Sequence, residues 1–429
     1  MNGSDIGWML MATALVLLMT PALGLFYAGL VRSKNSLNTL MMSVVSLGFV
    51  GLAWALLGYS LAFSAGTSGI GGLNHALLRD VGLEAKGTIP HLLFMAFQGT
   101  FAIITAALIS GAIVERMRFA AYIAFITAWS LLVYAPVAHW VWGGGWLAQL
   151  GALDFAGGTV VHITAGTAAF VAAVVLGPRK DYARQALVPH SVPLTVLGAG
   201  LLWFGWFGFN GGSALAANEQ AALAFVNTMF APAATLVVWT LLDMMRTAKA
   251  TAVGIATAIV VGLVAVTPAA GFVSPLSAIA IGAIAALPSY LGVLWRARTR
   301  LDDSLDVVAA HGIGGVVGAL LTGVLAERAW GSPADGLLFG NPSQLATQAV
   351  TVVVVIAFAA AGTSAILLVA RLAAPIRAGL RDEGIGLDVS EHGEEAYGHG
   401  DGAVLVLPGT ARRPAMALTP VLSGTGEEA

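Results

Sequence analysis

This chain predicts an all-α polytopic membrane protein, on three observations. Hydrophobic residues fill 58% of its 429 positions and charged residues only 10%, where an average soluble domain carries about 25%. Apolar runs of about 20 residues, the length a helix needs to cross a bilayer, recur along nearly the whole sequence. Basic residues cluster in alternate loops, the asymmetry that membrane insertion leaves behind. A mean hydropathy of +0.86 agrees. The net charge of −2 averages over that asymmetry and points to no nucleic acid. Cysteine is absent, which excludes disulfides and thiolate metal sites, and the 53 glycines suit helices that pack closely in lipid.

Eleven transmembrane helices are expected, at 6–30, 39–64, 91–113, 118–141, 158–177, 191–211, 219–241, 251–270, 276–296, 306–326 and 346–372. No basic residue precedes the first run, and Arg32 and Lys34 follow it. It therefore reads as a first span with the N-terminus outside, not as a removed signal. Arg32/Lys34, Arg116/Arg118, Arg179/Lys180/Arg184, Arg246/Lys249 and Arg296/Arg298/Arg300 occupy alternate loops. Arg371, Arg377, Arg381, Arg412 and Arg413 follow the last span or mark its edge, while the opposite loops hold only Arg79, Lys86 and Arg328. The positive-inside rule then puts the N-terminus out and the C-terminus in, as an odd number of spans requires.

The two halves resemble each other. GLFYAGLVRSKNSLNTLMM near the start is similar to WFGFNGGSALAANEQAALAFVNTMF from Trp206, and a histidine segment closes each half. Five spans per half make the second enter from the other side, so an inverted five-helix repeat is expected, with its site at the midplane. The eleventh helix stands outside the repeat, at the periphery. The transmembrane domain covers 1–373, a cytoplasmic C-terminal segment 374–397, and a low-complexity tail, expected to be disordered, 398–429.

The chemistry centres on His162, in DFAGGTVVHITAG after Asp154, and His311, in DVVAAHGIGG after Asp306. An ionisable side chain at membrane depth is costly and normally faces a pathway or a partner. One such histidine is as well explained by helix packing, but two in corresponding positions point to a lumen. Neutral imidazoles can bond one ring to the other and offer polar edges to a small passing molecule. Nothing in the spans supplies a clear third ligand, so no metal is expected. Phe97 and Phe101, four apart, share a helix face. Together with Trp142, Phe209 and Ser213 they form a candidate outer vestibule, in which π-faces and a hydroxyl receive a small cation. Taken singly, each aromatic reads first as a core or belt residue. Asp154 reads as a helix cap, as a buried carboxylate that stabilises positive charge in the vestibule, or as both. Asp302, Asp303 and Asp306 read as caps, and Glu115, Arg116 and Arg118 as an ordinary charged turn. The chain has no Gly-Lys-Ser/Thr phosphate loop and no HExxH or GxSxG. ATP-driven transport and hydrolysis therefore have no support, and no enzyme or cofactor is expected.

At this point the sequence resembles the ammonium transporter family (Amt/MEP/Rh), in its bacterial Amt branch, over residues 6–397. The resemblance rests on FYAGLVRSKN at 26–35, AFQGTFAIIT at 96–105, HWVWGGGWLAQLGALDFAGGTVVHI at 139–163 and GWFGFNGGSALAANEQAALAFVNT at 205–228. VTPAAGFVSP at 266–275, DDSLDVVAAHGIGG at 302–315 and EGIGLDVSEHGEEAY at 383–397 extend it. It implies a homotrimer in a bacterial cytoplasmic membrane, each protomer with its own hydrophobic pore for ammonium or its analogue methylammonium. Trp142, Phe97, Phe101 and Ser213 would form the recruitment site, Phe101 and Phe209 the gate, His162 and His311 the twin-histidine lumen, and Asp154 the essential buried carboxylate. A PII-type signalling protein would contact 383–397. Two rivals remain. One is an ammonium sensor that signals through its C-terminal segment, although a dedicated sensor is expected to carry a fused signalling domain. The other is a channel for a neutral solute, which would need no cation vestibule.

Overall fold

The structure, a computed structural model, describes residues 1–397; the expectation of a disordered tail at 398–429 lies outside the described residues. Among the described residues, ten helical stretches are long and apolar enough to cross a membrane. They are α1 (Gly3–Leu30), α2 (Ser33–Phe63), α3 (His91–Ala112), α4 (Phe119–Leu150), α5 (Gly158–Leu176), α6 (Val192–Gly212), α7 (Glu219–Thr247), α9 (Pro275–Arg296), α10 (Val308–Leu325) and α11 (Pro342–Ala373), with a shorter apolar helix, α8 (Ala252–Val266), between α7 and α9. Each falls on an expected span. The ends differ most where a helix runs on past its apolar part, as α7 does through Asp243 and Arg246 to Thr247. Hydropathy marks what hydrocarbon covers, not where backbone hydrogen bonding stops. A glycine-rich turn at 142–145 breaks α4 after Val141.

Local chemistry sets the helix starts. The side chains of Asn2, Asn218, Thr251 and Ser274 accept backbone N–H groups at the starts of α1, α7, α8 and α9, which satisfies donors that have no partner within the helix. Pro275 and Pro342 lie in the first turns of α9 and α11, where the missing N–H costs nothing. Arg246, Arg296 and Arg371 lie in the last turns of α7, α9 and α11, where a cation meets the negative end of the helix dipole.

α5 and α10 occupy the centre and touch through backbone: a Cβ on Gly166 would collide with Gly312. α1 packs along α6 in the same small-residue manner, with Gly198 against the backbone of Phe26. α11 buries one stripe, including Gln348, Thr351, Val355, Ala359 and Thr363, and exposes Val353, Leu368, Val369 and Leu372. That is the pattern of a helix packed on one face only. The loops carrying Arg32, Glu115, Arg179 and Asp302 meet on one side, the basic face. A two-stranded hairpin, β1 (Ala85–Lys86) and β2 (Ile89–Pro90), lies on the opposite side, where Thr88 accepts the backbone N–H of Asn2.

One expectation fails on the basic face. Glu115 and Arg116 are not an ordinary charged turn, since both are fully buried. Glu115 accepts from Arg32 at 3.0 Å and from Arg179 at 2.9 Å, and Arg179 also grips Asp302 at 2.8 Å. Burial alone would push the Glu115 carboxyl up, but Arg179 and Arg32 outweigh it and hold the group below its ordinary range. Asp302 is held down in the same way, so both stay charged. Arg116 has a weaker environment: burial pulls it down to about 10, and it donates to Ser304 Oγ at 2.7 Å and to the carbonyls of Ala112 and Asp302.

Candidate functional site

The residues named from sequence form one column through the middle of the molecule. At its mouth Phe97 and Phe101 meet edge-on with centroids 5.0 Å apart, and Phe101 meets Trp142 edge-on at 5.9 Å. Trp142 Nε1 donates to the Asp154 carbonyl at 2.9 Å, which fixes the indole. Ser213 Oγ donates to the Phe209 carbonyl at 2.8 Å, so its lone pairs remain to accept from a cation. Below them Phe101 and Phe209 lie 4.2 Å apart at 33°, both buried.

Under Phe209 the column continues in imidazole. His162 stacks on Trp206 at 5.4 Å and on Phe209 at 6.0 Å. Its Nδ1 faces Nδ1 of His311 at 3.2 Å, so one ring donates and the other accepts, and a single proton sits between them. The donating ring then has a bare Nε2 and the accepting ring an Nε2–H. The pair thus offers one acceptor and one donor to anything beside it. His162, whose Nε2 has no protein partner, and His311 border a cavity of ≈ 10 Å³, otherwise walled by apolar groups such as Leu23, Leu108, Val161 and Phe209. That is room for about one water-sized molecule. Among the described residues no cluster of three acidic or histidine side chains could hold a metal ion.

Both histidines ride on wide π-helical turns, Gly158–Ile163 and Val308–Ile313, at the starts of α5 and α10. Such turns recur where function displaces a helix from regular winding. Asp154 holds the first: Oδ1 accepts from Gly157 at 2.8 Å and Gly158 at 2.7 Å, and Oδ2 from Thr159 at 2.8 Å and Val160 at 3.0 Å. The tight entry puts Gly157 at φ +110°, a conformation that favours glycine. Asp154 is therefore both cap and buried carboxylate.

Sequence reading missed the counterpart of Asp154. Asp303, not Asp306, holds the second turn, accepting from Val307 at 3.1 Å and Val308 at 2.7 Å. Asp306 instead pairs with Arg296 at 2.8 Å. The signal was present in the spacing, because Asp154 precedes His162 by eight residues and Asp303 precedes His311 by eight. In the loop before α10, burial and then the nearby Asp306 push Asp303 up to about 7.

The C-terminal segment is docked rather than loose. Glu383 accepts from Arg377 at 2.7 Å and from the Lys180 backbone at 3.0 Å. Asp388 accepts the backbone N–H groups of Leu37 and Asn38 at the start of α2, at 3.0 and 2.7 Å. Tyr397 meets His190 at 2.9 Å.

Fold and site together define a multi-pass helical membrane protein built around a narrow buried cavity edged by two imidazoles. The chain belongs to the Ammonium Transporter Family, whose model matches residues 7–397. The ammonium transporter of Bacillus subtilis is 48% identical over 402 residues, covering 92% of this chain and 99% of that protein. Ammonium transporter Amt1 of Archaeoglobus fulgidus is 46% identical over 398 residues, covering 92% and 100%. Among solved structures, Saccharomyces cerevisiae Mep2 superposes with a TM-score of 0.80 at 37% identity, covering 86% of this chain and 85% of that one. A sensor Amt protein superposes at 0.85 with 31% identity, covering 91% and 98%.

Proposed function

We propose that this protein recruits ammonium at the Trp142–Phe97–Phe101–Ser213 vestibule, removes its proton near the Phe101–Phe209 gate, and conducts ammonia past His162 and His311. The eleven apolar helices, α1 to α11, cross the membrane as an inverted five-helix repeat plus α11, with the N-terminus out and the basic face in the cytoplasm of a bacterial cell. The protomers assemble as a homotrimer, and the docked segment 383–397 contacts a PII-type regulator. The observation that carries this reading is the apolar cavity of ≈ 10 Å³ beneath closed phenyl rings, edged by the imidazole pair.

An intact ion in such a place costs on the order of tens of kcal/mol in Born terms. Potassium matches ammonium in charge and size but has no proton to give up, so the lumen excludes it. The cation–π vestibule, worth up to about 2 kcal/mol when desolvated, favours capture with easy release. The proton either returns outside or crosses separately along the histidine pair. Currents recorded from reconstituted protein on solid-supported membranes test the reading: ammonium pulses should give uptake or current, and potassium pulses none. Equal responses to both would overturn it.

The likeness to a sensor Amt protein and the docked C-terminal segment favour one second reading, an ammonium sensor that signals through 383–397. That reading requires partner binding to follow ammonium in protein that conducts nothing.

A further inference from the structure

A second aromatic cluster lies beyond the vestibule on the same helix. α3 carries Phe94, Phe97 and Phe101 at spacings of three and four, so the rings share a face; at 1.5 Å per residue Phe94 stands about 10 Å along the axis from Phe101. Phe94 meets Phe63 edge-on at 5.2 Å and Tyr59 at 6.4 Å, and Tyr59 stacks on Phe63 at 5.6 Å. Lys86 of β1 reaches into this box. Its Nζ lies 4.7 Å from the Phe94 centroid, 5.5 Å from Tyr59 and 5.9 Å from Phe63, and it donates to the Tyr59 hydroxyl at 3.1 Å. Among the described residues no carboxylate forms an ion pair with Lys86; the Glu84 carboxylate in the same loop is turned to His91 at 2.8 Å instead. Burial alone pulls the amine down from its ordinary value.

A primary ammonium group is thus held by the rings of Phe94 and Phe63 and by the Tyr59 hydroxyl, without a carboxylate counter-ion. The vestibule offers the same chemistry through Phe97, Phe101, Trp142 and Ser213. A lysine head group is itself a monoalkylammonium, set apart from a free one only by its four-carbon tether.

We propose that the Tyr59–Phe63–Phe94 box is a second, outer binding site for ammonium and small primary ammonium ions, occupied at rest by Lys86. An arriving cation must displace Lys86, and once bound it stands at the head of the aromatic stripe that leads along α3 to Phe97 and Phe101. The inference shares with the proposed function only the identity of the cation. The alternative is that Lys86 merely pins the hairpin, and the two differ in what an emptied box does.

Equilibrium dialysis of purified full-length protein against millimolar radiolabelled methylammonium separates them. Lys86→Ala should bind one more equivalent per protomer than wild type, and adding Phe94→Leu should weaken that equivalent about tenfold or abolish it. Ammonium should compete for the extra site, and sodium should compete at least tenfold more weakly. If Lys86→Ala does not fold, Lys86→Gln, which removes the charge and shortens the side chain, serves in its place. Equal stoichiometry in wild type and variant overturns the proposal, as does an extra equivalent that survives Phe94→Leu. Because binding is the readout, an extra site can appear in protein that conducts nothing, and its absence leaves the conduction path untouched.

Discussion

At Asp154 one carboxylate accepts four backbone N–H groups, and that number decides what substitution does. Asp154→Ala leaves the four donors unmet, at about 1–3 kcal/mol for each buried group without a partner. Melting temperature should drop and methylammonium uptake fall at least tenfold. Asp154→Asn keeps one acceptor oxygen but turns an amide donor toward other donors, so it should fold and still transport poorly. Full uptake in both variants would reduce Asp154 to a cap. Asp303 makes a prediction of opposite sign to that of Glu115 and Asp302. Its folded value near 7 lies above the ordinary one, so the native state binds the proton more tightly. The stability this contributes is present at pH 4 and is lost as pH rises through about 7. Glu115 and Asp302 are held low, so their contribution is present above the ordinary carboxylate range and is lost as pH falls. Melting followed from pH 4 to 8 should therefore show a negative slope between about pH 4 and 7, levelling above it, that Asp303→Asn flattens; an unchanged slope would remove the assignment.

At the scale of elements, the helices were legible and their special turns were not. Hydrocarbon imposes a length and a composition on a spanning helix, so the long apolar helices announce themselves in the sequence. The π-helical turns carry no such signature. They depend on where Asp154 and Asp303 place their oxygens, and three aspartates between 302 and 306 hid which one mattered. The Phe101–Phe209 pair was legible only through the family motif, since neither periodicity nor spacing brings α3 beside α6. Removing both rings by Phe101→Ala with Phe209→Ala should change methylammonium conduction markedly and lower stability by several kcal/mol, as buried Phe→Ala changes do. Unchanged uptake in folded protein would end the gate assignment. The docked segment behaves as a separate element: deleting 383–397 should weaken binding of a PII-type partner at least tenfold while ammonium-driven uptake persists. Undiminished binding would put the contact elsewhere.

At the scale of the whole molecule, the basic face is one connected network rather than a set of loops. Arg179 joins Glu115, 64 positions away, to Asp302, 123 positions away, and Arg32 reaches Glu115 across 83. No local reading could foresee this, because the residues look like solvated turns until the fold assembles them. The positive-inside pattern did mark which loops share a side, but it carried no sign of their burial. The network ties the loop after α3 to the loops after α5 and α9. Breaking it from one partner leaves charge stranded: Arg179→Ala would leave Asp302 and Glu115 buried with reduced compensation, a kind of change that costs about 3–5 kcal/mol. Arg179→Ala with Asp302→Asn removes a charge of each sign and should recover part of that loss. If the network also holds α5 and α10 in register, transport should fall in the single variant and return partly in the double. Stability that recovers while transport does not would mean that Arg179 acts on conduction beyond its role in folding.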